Sequence, residues 1–143
     1  MRYMLHQSAD GKVELQQDID YLQNYIDIYR LRFADQFFVD FKAEGELTGK
    51  HIASLMLIPF VGNAFKHGVV NDAQRPVKIH LKVIGQRLMV TVSNKINRNP
   101  NDQLSGTGLA NTRRRLQLIY PGRHELLIAD NGQSYKTTLN IDL

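Results

Sequence analysis

Leu57-Ile58-Pro59-Phe60-Val61-Gly62-Asn63-Ala64-Phe65-Lys66-His67-Gly68 is the stretch whose reading decides the fold. Asn63 lies three residues before Lys66 and four before His67, so on a helix all three project from one face. Ile58, Val61 and Phe65 take another face, which marks a helix with one side in a core. An amide, an ammonium and an imidazole side by side suit phosphate oxygens and a hard cation, the amide oxygen for Mg²⁺ and the ammonium for phosphate. A plain solvated polar face is the alternative that the cluster alone leaves open. The helix is expected to start near Thr48 as its N-cap and to run through Ile52, Leu55, Ile58 and Phe65. Pro59 is expected to bend or break it, and Gly68 to end it.

Upstream, the Asp10-Gly11 turn precedes Leu15, Ile19, Leu22, Ile26, Tyr29 and Phe33, spaced alternately by four and three residues. This predicts an amphipathic helix, packed on its own domain or paired with a second copy along an a/d-like seam. Phe37 to Lys42 reads as a strand. Downstream, Val77 to Ile84 and Leu88 to Ser93 read as strands of a hairpin turning at Gly85-Gln86. Lys95 to Gly108 is polar and rich in turn formers, and a loop of that length is usually functional or mobile. It opens into a helix over Leu109 to Tyr120, stopped by Pro121-Gly122. The strands Glu125 to Ala129 and Tyr135 to Ile141 close the chain. The order predicts an α+β, two-layer sandwich in which helices cover one face of a mixed sheet.

The chain has 143 residues, of which 43% are hydrophobic, and neither Cys nor Trp. That length suits one domain with a real core. Without Cys there is no disulfide scaffold, thiolate metal site or cysteine nucleophile. The longest apolar-looking stretch, Ile52 to Phe65, contains Pro59 and Asn63 and falls short of the roughly 20 residues of a spanning helix. The start, Met1 to Gln7, does not grow into a signal-peptide core. A net charge of +4 invites a phosphate or nucleic-acid partner without choosing between them. Arg113-Arg114-Arg115 fans around a helix instead of forming one patch, and no stacking aromatics are interleaved with it, so nucleic acid is not an expected partner.

Gly106-Thr107-Gly108 at the mouth of a helix is a second candidate site. Freed N–H groups at a helix N-terminus favour a phosphate, and glycines let it approach. Alone this is a weak signal, since glycines there also make a simple hinge. The P-loop pattern is absent.

Leu57 to Gly68 closely resembles the N box of LytS-like sensor histidine kinases. Gly106-Thr107-Gly108-Leu109-Ala110-Asn111-Thr112-Arg113-Arg114-Arg115-Leu116-Gln117-Leu118-Ile119-Tyr120 resembles their glycine-rich box and the helix after it, and Val13 to Phe33 resembles their linker helix. The resemblance implies the Bergerat-type ATP-binding fold of gyrase, Hsp90, histidine kinases and MutL, with ATP and Mg²⁺ as cofactors. By position, Asn63 would coordinate the Mg²⁺, and Lys66 and His67 would lie beside the phosphates. Asn94 would stand where an acidic residue reads adenine, Lys95 to Ser105 would form a lid, and Gly106, Thr107, Gly108 and Leu109 would hold the phosphate chain. Residues 1–33 are then expected to end a dimerisation or linker helix region, and 34–143 to form the ATP-binding catalytic domain. Expected partners are ATP, the His-containing dimerisation domain of the same kinase and, indirectly, a response regulator, with a homodimer through the N-terminal helix as a further expectation. The expected location is the cytoplasmic side of an inner-membrane sensor.

Four departures qualify the resemblance. Gly62 replaces the Glu that relatives carry before the Asn; glycine in a helix costs about 1 kcal/mol relative to Ala, and no local benefit is visible in the sequence. This favours retained nucleotide binding with weakened catalysis. Asn94-Lys95-Ile96 replaces Asp-x-Gly, exchanging a carboxylate for a neutral acceptor. Ser134-Tyr135 replaces a Gly-Thr pair. The phosphoacceptor motif His-Phe-x-Phe-Asn is missing, and His6, His51, His80 and His124 lack its setting. The main expectation is a catalytic domain that transfers the γ-phosphoryl group of ATP to a His elsewhere. The alternative is a catalytically weakened nucleotide-binding or scaffolding module.

Overall fold

A computed structural model describes residues 11–33, 36–96 and 106–143. A short strand β1 (Lys12–Glu14) leads into α1 (Leu15–Phe33), followed by β2 (Val39–Gly45), β3 (His51–Ala53), α2 (Ile58–His67), β4 (Gly68–Val69), β5 (Val77–Ile84) and β6 (Arg87–Ile96). Then come α3 (Gly106–Ile119), β7 (His124–Asp130) and β8 (Ser134–Asp142).

The main sheet runs β2-β5-β6-β8-β7, with β4 added beside the end of β6. β2 is parallel to β5, from Val39 opposite Val77 to Gly45 opposite Val83, and the other pairs are antiparallel, so the sheet is mixed. Strict alternation buries one face: Val77, Ile79, Leu81 and Val83 of β5; Leu88, Val90 and Val92 of β6; Leu139 and Ile141 of β8. The opposite face is lined with Lys78, His80, Lys82, Thr91 and Thr138, as expected of an antiparallel-rich sheet covered on one side. The expected two-layer α+β arrangement is present.

The α1 stripe supplies Leu15, Ile19, Leu22 and Ile26 to the same core as α2 and the sheet. Four of the six residues that suggested a seam are therefore packed within the chain, while Tyr29 is half-buried and Phe33 exposed. At the far end of α1, Tyr25, Tyr29 and Phe33 join Phe37 and Phe65 in an aromatic cluster: Tyr25 stacks on Phe65 at 6.0 Å between centroids, and Phe37 meets Phe65 edge-on at 5.2 Å.

Several boundaries differ from those read in the sequence. The helix does not begin at Thr48, which lies in an exposed turn. His51–Ala53 is instead a strand pairing with β1, Lys12 opposite Ala53, because Ile52 and Ala53 are wanted in the core in extended register. Pro59 therefore sits in the first turn of α2 and breaks nothing; a residue without an N–H is suited to that turn. β2 begins two residues later than expected because Phe37 is drawn into the aromatic cluster. Lys95 and Ile96, assigned to a lid, are strand residues paired with Val69 and Gly68. Residues 97–105 of that lid lie outside the described residues. α3 begins at Gly106, not Leu109, so the glycines occupy its first turn.

Candidate nucleotide site

α2 separates two chemistries by its period. Phe60, Val61, Ala64 and Phe65 are buried, leaving Asn63, Lys66 and His67 on the flank away from the core. Lys66 is exposed, and Asn63 and His67 are half-buried. Lys66 and His67 fall in the last turn of the helix, where positive charge is favoured by the peptide dipoles. The His67 ring is partly enclosed, and its Nδ1 is buried with no hydrogen-bond partner among the described residues. A buried ring nitrogen without a partner is costly; it is the kind of group a bound ligand satisfies.

The helix runs without a break into β4, which pairs with the end of β6 and brings Asn94 to the foot of α2. Asn94 continues the inward alternation of Leu88, Val90 and Val92 and is only 5% exposed. Its Nδ2 donates to the Lys95 carbonyl at 3.1 Å, which leaves Oδ1 as the acceptor. The amide lies so close to Gly68 that a Cβ there would come within 2.6 Å of Nδ2 and would also run into the Ala64 carbonyl. Gly68 was expected as a helix stop. Its backbone is extended, with φ −98° and ψ 171°, so glycine is required by the close approach of Asn94 and not by a left-handed turn.

Next to it, the Lys95 ammonium reaches the Asp72 carboxylate at 3.2 Å. That hydrogen bond, with a second from the Gln74 N–H, holds the Asp72 carboxyl below its ordinary value. The pair ties the loop after β4 to the end of β6.

Gly62 has a local reason that the sequence did not reveal. A Cβ built at this position would stand 3.0 Å from the Tyr25 hydroxyl. The phenol of α1 lies over the bare helix backbone, its ring stacked on Phe65. Burial and the neighbouring Tyr29 push the Tyr25 hydroxyl well above its ordinary pKa, so it stays protonated. A side chain at 62 and Tyr25 in its present place compete for one volume. Tyr25 is a residue that spacing alone files with the core stripe.

α3 packs against α2 and presents Gly106 to Gly108 as its first turn. The four N–H groups that open a helix have no partner within it, and so Gly106, Thr107, Gly108 and Leu109 would offer backbone donors to an anion. Leu109 and Leu116 are buried and fix this helix to the core. Ser134 and Tyr135, the third departure, sit opposite Lys95 and Asn94 across β6 and β8.

The residues fit a metal–nucleotide pair better than a metal alone. Among the described residues there is no group of three or more His, Cys, Asp or Glu able to hold an ion. Mg²⁺ commonly keeps waters and substrate phosphates and takes only one or two protein oxygens, a role within reach of Asn63. Asn63, Lys66, His67 and Asn94 are brought to one helix and the strand at its end, and no carboxylate stands among them.

A fold of this kind is the one found in histidine kinase catalytic domains. The nucleotide-free catalytic domain of histidine kinase ThkA superposes with a TM-score of 0.68 at 14% identity, over 91% of this chain and 95% of that one. The histidine kinase AdeS of Acinetobacter baumannii superposes with a TM-score of 0.58 at 16% identity, over 87% of this chain and 64% of that one. ThkA in complex with the response regulator protein TrrA matches with a TM-score of 0.60 at 14% identity, over 91% and 40%. Sequence points the same way. The histidine kinase family model matches residues 1–37, and the sensor protein kinase HptS of Staphylococcus aureus is 30% identical over 92 residues, 64% of this chain. The chain is similar in sequence to these sensor histidine kinases and has the fold of histidine kinase catalytic domains. It spans 17% of the length of the HptS relatives it matches. No described helix is long and apolar enough to cross a membrane.

Proposed function

We propose that this chain is the ATP-binding catalytic part of a two-component sensor histidine kinase of the LytS-like type, and that it transfers the γ-phosphoryl group of ATP to a His on a dimerisation domain. In this reading residues 34–143 form the catalytic domain, and α1 ends the linker helix region packed onto it. The whole protein would be a membrane sensor with this domain in the cytoplasm, its signal passing on to a response regulator. The observation that carries the reading is the union of Asn94 with the foot of α2: one helix and the strand end beside it collect a buried amide and the Asn63, Lys66 and His67 face.

Each residue has a task it can perform. The Asn94 Oδ1, its amide fixed through Nδ2, accepts from the exocyclic amino group of adenine. Lys66 neutralises phosphate charge and His67 hydrogen-bonds a phosphate oxygen, its Nδ1 gaining the partner it lacks. The first-turn amides of α3 hold the phosphate chain from the other side, and Asn63 contributes an oxygen to Mg²⁺. Mg²⁺–ATP held by these residues would supply the γ-phosphoryl group to the acceptor imidazole, with ADP as the leaving group. Such transfer asks the protein mainly for position and charge. The kinase relatives favour transfer over a scaffolding role, and the contact with Tyr25 gives Gly62 a packing reason independent of lost chemistry.

Calorimetric titration with Mg²⁺–ATP and Mg²⁺–GTP, followed by phosphotransfer to a supplied dimerisation domain, tests the proposal. Binding of ATP, weaker binding of GTP and a loss of about tenfold or more in Asn63→Ala are expected. Absence of ATP binding by the unaltered chain would overturn it.

A further inference from the structure

The approach to α2 is irregular, and its backbone is satisfied from outside itself. Ala53, Ser54, Met56 and Leu57 are all buried, so the peptide groups between β3 and α2 need protein partners. The Ala53 N–H donates to the Tyr120 hydroxyl at 3.0 Å, and the Ser54 N–H to the Gly11 carbonyl at 3.3 Å. The Leu55 N–H donates to Asp18 Oδ1 at 2.9 Å. The carbonyls of Ser54 and Leu55 both accept from the Arg115 guanidinium, the latter at 3.3 Å. Leu55 has φ +57° and is the non-glycine residue with positive φ among those described. A branched side chain adopts that conformation only where its neighbours enforce it.

α2 has no side-chain cap of its own: Leu57 stands at its N-cap and makes no capping bond. What sets the helix is therefore the segment before it, held by Asp18 of α1 on one side and by Arg115 of α3 on the other. Arg115 belongs to the helix whose first turn is Gly106 to Gly108, while α2 carries Asn63, Lys66 and His67. A guanidinium with two donors on adjacent carbonyls fixes a direction as well as a distance.

We infer that Arg115 is a positioning residue of the nucleotide site: it holds the residue 54–55 backbone so that the polar flank of α2 and the N-terminus of α3 stay in register around one phosphate chain. The inference rests on the nucleotide reading above. It assigns no contact between Arg115 and the ligand. The part of the ligand it serves is the phosphates, not the base.

The test compares the unaltered chain with Arg115→Met, Arg115→Lys and, as a control for charge, Arg114→Met on the exposed side of the same helix. Affinities for Mg²⁺–ATP and for adenosine are measured at a temperature where circular dichroism shows each variant folded. Arg115→Met is expected to weaken Mg²⁺–ATP by about tenfold and to leave adenosine unchanged. Arg115→Lys, which keeps the charge but not the fork, is expected to fall between, and Arg114→Met to stay within about twofold of the unaltered chain. Equal affinity in folded Arg115→Met, equal losses in the two Met variants, or a parallel loss of adenosine each overturns the inference and leaves the nucleotide reading standing. Should Arg115→Met fail to fold, Arg115→Lys decides: ATP binding like that of the unaltered chain rejects the role. Failure of the unaltered chain to bind ATP rejects the nucleotide reading and this inference together.

Discussion

The two ends of α2 are fixed by different physics. At its start, hydrogen bonds to Asp18 and Tyr120 and from Arg115 hold an irregular backbone that has no ladder of its own. At its finish, the chain passes directly into β4, and position is set by shape: Gly68 against Asn94, with no room for a methyl group. The first arrangement is directional and tolerates no loss of a donor or acceptor. The second is steric and tolerates no gain of volume. Between them Gly62 shows the steric kind again, beneath the Tyr25 hydroxyl. A site built on this helix is thus held by polar bonds at one end and by tight packing at the other.

The largest expected effect is at the finish. Gly68→Ala drives a Cβ into Asn94 and the Ala64 carbonyl, and is expected to cost about 1–3 kcal/mol in urea unfolding. In the Gly68→Ala/Asn94→Ala double variant, part of that cost is expected to return; strictly additive losses would break the steric account. At the start, Tyr120→Phe leaves the buried Ala53 N–H without its acceptor, and a loss of about 1–2 kcal/mol is expected. A stability equal to that of the unaltered chain would remove the Tyr120 bond from the account of this end.

Gly62→Ala sets two small effects against each other. Alanine gains up to about 1 kcal/mol of helix propensity, while its methyl meets the Tyr25 hydroxyl at 3.0 Å. Little net change is expected in the single variant. The gain is expected to emerge when Tyr25→Phe removes the hydroxyl. If the alanine effect is the same with Tyr and with Phe at 25, the contact does not explain the glycine.

The smallest effect concerns pH at the finish of α2. Asp72 is held below its ordinary value of 3.8, first by the Lys95 hydrogen bond. A lowered carboxyl binds protons more weakly in the folded chain than in the unfolded one. Its contribution is therefore present above pH 3.8 and is lost as pH falls through the lower folded value. Lys95→Met is expected to move the Asp72 titration, followed by NMR, back upward. An unchanged midpoint would remove the ion pair from the description of this end.

Much of the frame was legible because it rests on period. The α1 stripe, the β5–β6 hairpin and β8 repeat every 3.6 or two residues, and burial followed that repeat; β7, at the edge of the sheet, leaves both Leu127 and Ile128 exposed. Asn94 was reached through the resemblance alone, since the strand read in the sequence stops at Ser93; β6 runs on to Ile96 and carries Asn94 on its inward phase. The start of α2 was not, because Ile52 to Phe65 contains enough apolar residues to imitate one long helix, and only pairing with β1 turns His51–Ala53 into a strand. β4 has two residues and no pattern to read. Asp18 had a trace in the sequence, as a carboxylate on the buried side of α1, but its partner, Leu55 N–H, lies 37 residues away.

The amino-acid sequence by itself determined the two-layer architecture, the polar flank of α2 and the glycines at α3, since these depend on local spacing and residue chemistry. Tertiary structure alone decided why residues 62 and 68 are glycine, how a capless helix is anchored, and that Asn94 meets the foot of α2. The reason is physical. Periodicity is a property of neighbours along the chain, whereas steric exclusion and the satisfaction of an irregular backbone depend on groups that only folding brings into contact.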